Sequence, residues 1–238
     1  MSNLSIARAG RFVLDLVYPP ACSLCGEGGA FLCNACEAGL PRADGNRCPR
    51  CWLPLHTPHC DPAPSFRAMR SRYRYQDEVR KLVHNLKFGH QSSLAEPLGA
   101  LIANEIANAG LEADALVPVP LHWRRLWARR FNQSASLAQA VSAATSVPVL
   151  HTALKRVKPT AHQVGLSQAE RASNVQGAFR VPDEGKAAIA GRRLMLMDDV
   201  LTSGATVEAC TRALLRAGAA NVDVLVFARV VAAARSPI

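Results

Sequence analysis

The clearest pattern of apolar and polar positions lies near the end of the chain. An apolar run over 193–197 leads into a polar turn over 198–204, an amphipathic stretch over 205–217 and a second apolar run over 222–230. This order predicts a strand, a loop, a helix and a second strand. Such a unit indicates an α/β fold in which a parallel sheet is flanked by helices.

Further apolar patterns predict more elements of the same layered fold. Asp77 is expected to cap a helix that Gly89 ends. In chain order the further elements are a helix over 3–17, a strand over 67–75, helices over 77–88 and 92–108, a buried strand over 115–119, and helices over 133–144 and 166–174. Strands that alternate with helices again favour a parallel sheet.

Seven of the eight cysteines lie close together between residues 22 and 60. Six of them form the C-x-x-C pairs Cys22/Cys25, Cys33/Cys36 and Cys48/Cys51, and the last is Cys60. Two thiolates three positions apart can bind one ion from a tight turn. In a chain without a secretory signal, these pairs therefore predict metal ligands in preference to disulfides.

We assign the first two pairs to one structural zinc site with the ligands Cys22, Cys25, Cys33 and Cys36. The alternatives are a crossed arrangement that shares ligands between the pairs, and a set of buried or redox-active thiols. Residues 20–64 contain little apolar material, so this module should need its metal to fold.

A second metal site, with the ligands Cys48, Cys51 and Cys60, is one thiolate short. Ala63 stands where a fourth cysteine would complete the pattern. His56 or His59 could supply the missing ligand, or this second loop has lost its metal.

The main functional signal is a strand that runs into two adjacent carboxylates and then into a glycine turn rich in hydroxyl groups. Asp198 and Asp199 can accept hydrogen bonds from ribose hydroxyls. The start of the following helix offers free N–H groups and a positive dipole to a phosphate. The residues of this turn are Thr202, Ser203, Gly204, Ala205 and Thr206. The alternative is a capped helix preceded by solvated acids.

The segment 194–206 closely resembles the phosphoribosyl-pyrophosphate signature of the type I phosphoribosyltransferases. Residues 117–133 lie where that fold has its pyrophosphate loop, and residues 156–179 are similar to its flexible active-site hood. The resemblance implies that Asp198 and Asp199 are the catalytic residues and that the ligand arrives as its Mg²⁺ complex. It also implies further ligand contacts from Val119, Pro120, Arg129, Arg156, Thr160 and Gln163.

Together with the cysteine pairs, the order of parts resembles the ComF family of competence-associated proteins, also called the GntX/ComF group, over nearly the whole chain. The resemblance implies an N-terminal helix and zinc-ribbon module over 1–64 and a phosphoribosyltransferase-like domain over 65–238. It also implies a role in DNA uptake and transformation, with phosphoribosyl pyrophosphate, single-stranded DNA and other DNA-uptake proteins as partners. Arg130 departs from the family, which usually has glycine there, as does the incomplete second zinc loop.

Composition and charge agree with a folded protein that binds anionic partners. With 238 residues, 49% hydrophobic and 19% charged, the chain can bury a core, which excludes wholesale disorder. The formal charge of +10 favours anionic partners. No acidic residue occurs between Asp114 and Glu170, where there are seven basic ones.

A second acid-free stretch indicates a surface for single-stranded DNA. Its basic residues are Arg67, Arg70, Arg72 and Arg74, and Tyr73, Tyr75, Phe66 and Trp52 could offer stacking faces beside them. The alternative is an ordinary solvated strand face. Trp123 and Trp127, four positions apart, are expected to pack within the fold.

The chain is expected to be cytoplasmic. No apolar run approaches the roughly 18 residues of a membrane span, and Arg8, Arg11 and Asp15 interrupt any signal sequence. Binding of phosphoribosyl pyrophosphate and DNA is the leading function. The alternatives are an active phosphoribosyltransferase, which transfers a pentosyl group in nucleotide salvage, and a nucleotide-sensing regulator.

Overall fold

The computed structural model describes residues 19–54, 60, 63–88, 92–158 and 175–231, with the backbone alone at 107, 125, 128 and 129. The chain forms two compact units, 1–40 and 41–238. The second group of cysteines therefore belongs to the larger unit. The domain boundary at residues 64 and 65 stays a prediction.

The described part of the smaller unit is built on tight turns. Ala21 pairs with Gly28 in an antiparallel bridge, and the Gly26 N–H donates to the Cys22 carbonyl over 2.8 Å. Gly26 has a φ of +80°, which glycine adopts at no steric cost. One short helix follows, α1 over Asn34–Ala38.

The larger unit alternates strands and helices as the apolar patterns predict. In chain order its elements are β1 (Met69–Arg74), α2 (Asp77–Phe88), a 3₁₀ turn (Ser92–Leu94), α3 (Ala95–Asn108), β2 (Ala115–Pro118), α4 (Trp123–Arg129), α5 (Gln133–Thr145), β3 (Lys155–Arg156), β4 (Phe179–Arg180), α6 (Asp183–Ile189), β5 (Arg193–Leu201), α7 (Ala205–Arg216) and β6 (Asn221–Arg229).

Four strands form a parallel sheet in the order β1-β6-β5-β2, and β3 pairs with β4 in a separate antiparallel ribbon. Leu196 on β5 lies opposite Val224 on β6, and both side chains are fully buried. Near-continuous apolar runs such as β6 are typical of parallel strands covered on both faces. The predicted α/β fold class, a parallel sheet flanked by helices, is confirmed.

Helices α3 and α5 approach each other closely at Gly99. A Cβ atom at this position would lie only 2.3 Å from the Cβ of Ala140, so a larger residue would push the helices apart. Leu98 on α3 and Leu137 on α5 are fully buried. This close contact fixes the position of α5, which contributes to the site described below.

The main correction concerns the turn predicted over 198–204. Strand β5 continues through Leu201, since Asp198 pairs with Val226 and Leu201 with Arg229 on β6. The two acids are therefore sheet residues and not loop residues. Asp77 is also the first residue of α2, with a φ of +43°, and does not stand before the helix.

The expected packing of the two tryptophans is wrong. Trp123 and Trp127 on α4 are 59% and 82% exposed. The helices predicted over 3–17 and 166–174, and Gly89, lie outside the described residues. Within the described ranges, no helix has the length and apolarity that crossing a bilayer would require.

Candidate functional site

A cavity of about 240 Å³ opens where β2 and β5 end. It is lined by the ends of these strands and by side chains from neighbouring helices. The lining residues are Tyr75, Lys87, Val119, Pro120, Leu121, Gln133, Ser134, Arg156, Asp198, Asp199, Val200, Leu201, Thr202, Ser203, Gly204, Ala205, Thr206 and Val207. The carboxyl ends of parallel strands are where α/β proteins bind ligands.

The turn between β5 and α7 presents the start of a helix to this cavity. Gly204 is the residue before α7, with a φ of +81°, and no side chain caps the helix there. A Cβ at Gly204 would meet only the Leu201 Cδ2, at 4.0 Å. Glycine is therefore required here by the backbone conformation and not by lack of space.

Ser203 adds a polar atom to the same turn. Its Oγ is buried and has no hydrogen-bond partner among the residues that the structure describes. A buried hydroxyl without a partner costs free energy unless a ligand or water satisfies it. Together with the open start of α7, this hydroxyl favours an anion in the cavity.

The two acids at the end of β5 have different partners. The Ser134 hydroxyl and the Asp199 N–H both donate to Asp198 Oδ1, each over 2.9 Å. The Lys87 ammonium lies 2.8 Å from Asp199 Oδ2. The Val200 N–H donates to Asp199 Oδ1 over 2.7 Å.

These surroundings change the protonation of Asp198. Burial raises its pKa to about 7, and the negative charge of Asp199 acts in the same direction. The hydrogen bond from Ser134 and the charge of Lys87 oppose this shift. Asp198 can therefore exchange a proton near neutral pH, while Asp199 is held in an ion pair.

The structure brings most of the predicted ligand residues together. Val119, Pro120, Arg156, the two acids and all five residues of the turn line the cavity. Arg156 also packs over the Phe179 ring, with its guanidinium 5.3 Å from the ring centre. Thr160, Gln163 and the Arg129 side chain lie outside the described residues.

Sequence reasoning missed Lys87, Ser134 and Tyr75 as lining residues of the cavity, whereas Gln133, which also lines it, ends the predicted pyrophosphate loop. Gln133 and Ser134 follow directly on Asn132, whose amide donates to the Val119 carbonyl over 3.0 Å and whose Oδ1 caps α5. Residues 131–133, the Phe-Asn-Gln end of the predicted pyrophosphate loop, were therefore the signal that could have found Ser134. Lys87 and Tyr75 carry no local signal, because only the tertiary fold brings them to β5.

The first cysteine group fits a tetrahedral metal ion. All four sulfurs lie within 4.8 Å of one another, those of Cys22, Cys25, Cys33 and Cys36. Although burial raises the pKa of Cys22, hydrogen bonds from the backbone N–H groups of Cys25, Cys33 and Leu24 lower it to about 6. The contacts with Cys33 and Cys25 raise the pKa of the Cys36 thiol to about 12, so the case for zinc rests on the geometry of the four sulfurs.

The second cysteine group brings three sulfurs together. Those of Cys48, Cys51 and Cys60 also lie within 4.8 Å of one another. Arg229, at the end of β6, donates to the Cys51 carbonyl over 2.7 Å and so ties this group to the sheet. His56 and His59, the candidates for a fourth ligand, lie outside the described residues.

Two of the four arginines proposed for DNA are paired with acids from distant parts of the chain. The Arg67 guanidinium lies 2.5 Å from Asp223, and that of Arg72 lies 2.6 Å from Glu105. Arg70 stacks on the Trp52 ring at 4.5 Å, and Arg74 donates to the Arg42 carbonyl. This stretch contains no acidic residue, but the fold brings acidic residues from elsewhere in the chain next to two of its arginines.

Comparison with known proteins gives a family model and several relatives. The model for the double zinc ribbon domain matches residues 13–64. The DNA utilization protein YhgH of Escherichia coli K12 is 34% identical over 224 residues, which are 88% of this chain and 96% of that protein. Competence protein F of Haemophilus influenzae is 30% identical over 209 residues, 83% of this chain and 90% of that protein. The ribbon match and the cysteine groups support structural zinc.

Two solved structures resemble the chain at a low level. The glutamine phosphoribosylpyrophosphate amidotransferase of Bacillus subtilis is 25% identical, with a TM-score of 0.39 over 57% of this chain and 26% of that one. A protein from Neisseria gonorrhoeae with bound ppGpp is 17% identical, also with a TM-score of 0.39, over 61% of this chain and 73% of that one.

Replacing Cys22 with serine should remove zinc from the first cysteine group and unfold the smaller unit, because such modules fold only with their metal. Elemental analysis should find at least one zinc per chain in the wild-type protein and one fewer in the variant. The larger unit should keep its melting temperature. Cys210→Ala, which removes a buried cysteine outside both groups, is the control and should keep all its zinc. If elemental analysis found no zinc in wild-type protein purified without chelators, the assignment would be wrong.

Replacing Asp198 with asparagine should stabilise the protein above neutral pH. In the folded state Asp198 keeps its proton up to a pKa of about 7, whereas the unfolded chain releases it near the ordinary value of 3.8. Stability conferred by the wild-type residue therefore falls as pH rises between these values and stays low above 7. The variant should therefore be more stable than wild type at pH 8.

This gain should shrink as the pH of the thermal melts is lowered from 8 to 5. Asp199→Asn is the matched variant, and it should show no gain because it leaves Lys87 without its ion pair. A difference between wild type and Asp198→Asn that is constant with pH would show that Asp198 has no raised pKa.

Proposed function

This chain belongs to the ComF/GntX family of competence-associated proteins, and from that membership we propose that it binds phosphoribosyl pyrophosphate and single-stranded DNA during DNA uptake or use. Relatives that cover most of the chain are named a DNA utilization protein and competence proteins. Their names support the role with DNA. The cavity at the end of β5 supports the small ligand.

The observation that carries the small-ligand proposal is the combination of two acids and an uncapped helix start in one cavity. Asp198 and Asp199 are the carboxylates that line it within the described part of the chain. They can accept hydrogen bonds from the ribose hydroxyls, while the N–H groups that begin α7 bind the 5′-phosphate. Thr202, Ser203 and Thr206 add hydroxyl donors to the same phosphate.

The donor set also fits the Mg²⁺ that accompanies such a ligand. Mg²⁺ keeps several waters and is usually bound through one or two carboxylates and the phosphates of its ligand. Asp198 and Asp199 would supply the carboxylate oxygens, and the ion would neutralise part of the pyrophosphate charge. The residues of the chain then orient the ribose above β5 and hold the phosphate at α7.

Lys87 has a role in this proposal that follows from its ion pair. Its ammonium lies 2.8 Å from Asp199 Oδ2 and so holds that acid in place before the ligand arrives. The Ser134 hydroxyl donates to Asp198 Oδ1 over 2.9 Å and so orients the other acid. Both side chains come from helices packed beside the sheet, and they prepare the acids to accept ribose hydroxyls.

Replacing Thr206 with alanine should weaken binding of Mg²⁺–phosphoribosyl pyrophosphate about ten- to a hundredfold in calorimetry, because it removes a hydroxyl that binds a charged group. Gly204→Val should be worse, since a branched residue resists the φ of +81° there. Replacing both acids with asparagine should also weaken binding, because an amide accepts hydrogen bonds less strongly than a carboxylate.

The matched control is Thr145→Ala, a threonine at the far end of α5 whose hydroxyl donates to the Val141 carbonyl and accepts from the Val147 N–H. It should bind as tightly as wild type. If wild type shows no binding at millimolar ligand, or if Thr206→Ala binds equally well with an unchanged melting temperature, the turn is only the start of a helix.

Single-stranded DNA should bind more weakly as salt rises, with a log–log slope near −0.7 for each phosphate contact. Arg70 and Arg74 on β1 are the members of the predicted patch without an acidic partner among the ion pairs of the described residues. If they contact phosphates, the double change to alanine should make the slope shallower by about 1.4. It should leave binding of the small ligand intact.

The variants Arg67→Ala and Arg72→Ala are a poorer test of DNA binding. Each leaves a shielded carboxylate behind, since the side chains of Asp223 and Glu105 are only 1% and 15% exposed. They should therefore lower the melting temperature without telling DNA contact from stability. A salt slope unchanged by Arg70→Ala and Arg74→Ala would remove this strand from the DNA surface.

A further inference from the structure

Helix α4 exposes a cluster of large apolar side chains. Trp123, Leu126 and Trp127 are 59%, 41% and 82% exposed, and they stand at positions i, i+3 and i+4 of the helix. Residues with this spacing share one face. We call this cluster the tryptophan face. Beside it lies an open depression of about 510 Å³ lined by Leu126, Trp127 and Arg130.

The tryptophan face lies in strongly basic surroundings. The segment 123–130 contains four arginines and no acid, and Asp114 and Glu170 are the nearest acids in sequence. The Arg124 guanidinium lies 5.3 Å from the centre of the Trp123 ring, and both Arg124 and Arg130 are exposed. Aromatic faces interleaved with arginines are the combination that binds single strands, by stacking bases and contacting phosphates.

Arg130 occupies an unfavourable backbone conformation beside this face. It ends α4 with a φ of +63° and a ψ of −10°, in the left-handed region that suits glycine. A long, charged side chain held at such a position indicates that the charge itself serves a purpose. Arg130 lines the same depression as the exposed Trp127.

We infer that the tryptophan face stacks the bases of single-stranded DNA, while Arg124 and Arg130 contact the adjoining phosphates. This inference rests on the proposed function and names the surface that performs it. A duplex keeps its bases stacked on one another, so the surface selects single strands. The occupant that these observations favour is a single strand, because the exposed indole rings and the neighbouring arginines supply both stacking faces and phosphate contacts.

The test uses a fluorescent oligo-dT strand and the full-length protein. Trp127→Ala should weaken binding about 5- to 150-fold at every salt concentration, the range that loss of one stacked base produces. Its salt slope should match that of wild type, because stacking releases no counterions. Trp127→Phe should keep most of the affinity, whereas Trp127→Leu, which is apolar without a ring, should behave like alanine.

Replacing the arginines, unlike replacing Trp127, should change how strongly DNA binding depends on salt. Arg124→Ala and Arg130→Gly should each make the salt slope shallower by about 0.7. Arg130→Gly should also raise the melting temperature by about 2–4 °C, since glycine adopts the left-handed conformation freely. A change that stabilises the fold while weakening DNA binding separates a binding role from a structural one.

Phe88→Ala removes another exposed aromatic, outside this face, and should bind the strand as wild type does. If wild type binds the strand and Trp127→Ala binds it equally well, the inference is overturned while the proposed role with DNA stands. If wild type binds no single strand at low salt, that proposed role fails and the inference fails with it. If Trp127→Ala instead loses binding only to vesicles of anionic lipid, the face is a membrane contact and the inference is overturned.

Discussion

The placement of two adjacent carboxylates at the buried end of a central strand is the constraint on which the rest of the site depends. Asp198 and Asp199 are held there because β5 stays paired with β6 through Leu201. Carboxylates in such surroundings are costly unless they are paired or protonated. Lys87 from α2 and Ser134 from α5 supply the pairing. The position of both helices on the sheet is therefore part of the site, as is Gly99, which lets α5 approach α3.

The pattern of apolar and polar residues predicted those parts of the fold that depend only on residues close together in the sequence. Alternation and helical periodicity identified the strands and most helices, and the glycine turn identified the start of α7. The end of β5 was missed because the length of a strand depends on its partner, and β6 runs equally far. Lys87 was missed for the same reason: its partner Asp199 lies far along the chain. Arg67 and Arg72 seemed free of acids because Asp223 and Glu105 reach them only through the fold.

The two cysteine groups differ in what a metal would stabilise. The first group lies wholly in the smaller unit, where within the described residues α1 is the one helix and the turns hold the ligands. In the second group Cys48 and Cys51 are buried in the larger unit, and Arg229 links Cys51 to the end of β6. Zinc is thus the main organiser of the first group, whereas the second is supported by the sheet. That support explains how a three-cysteine group keeps its sulfurs together.

Helix α4 breaks two local rules at once, since it exposes two tryptophans and ends on an arginine with positive φ. Either feature alone could be an accident of sequence. Their proximity in one basic, acid-free segment is harder to explain by stability, because both lower it. Sites where local preference and the fold disagree are where a protein gives up stability for function. By contrast, the arginines of β1 obey the ordinary rules of pairing and packing, as structural residues do. Helix α4 is therefore a better candidate for a binding surface than strand β1.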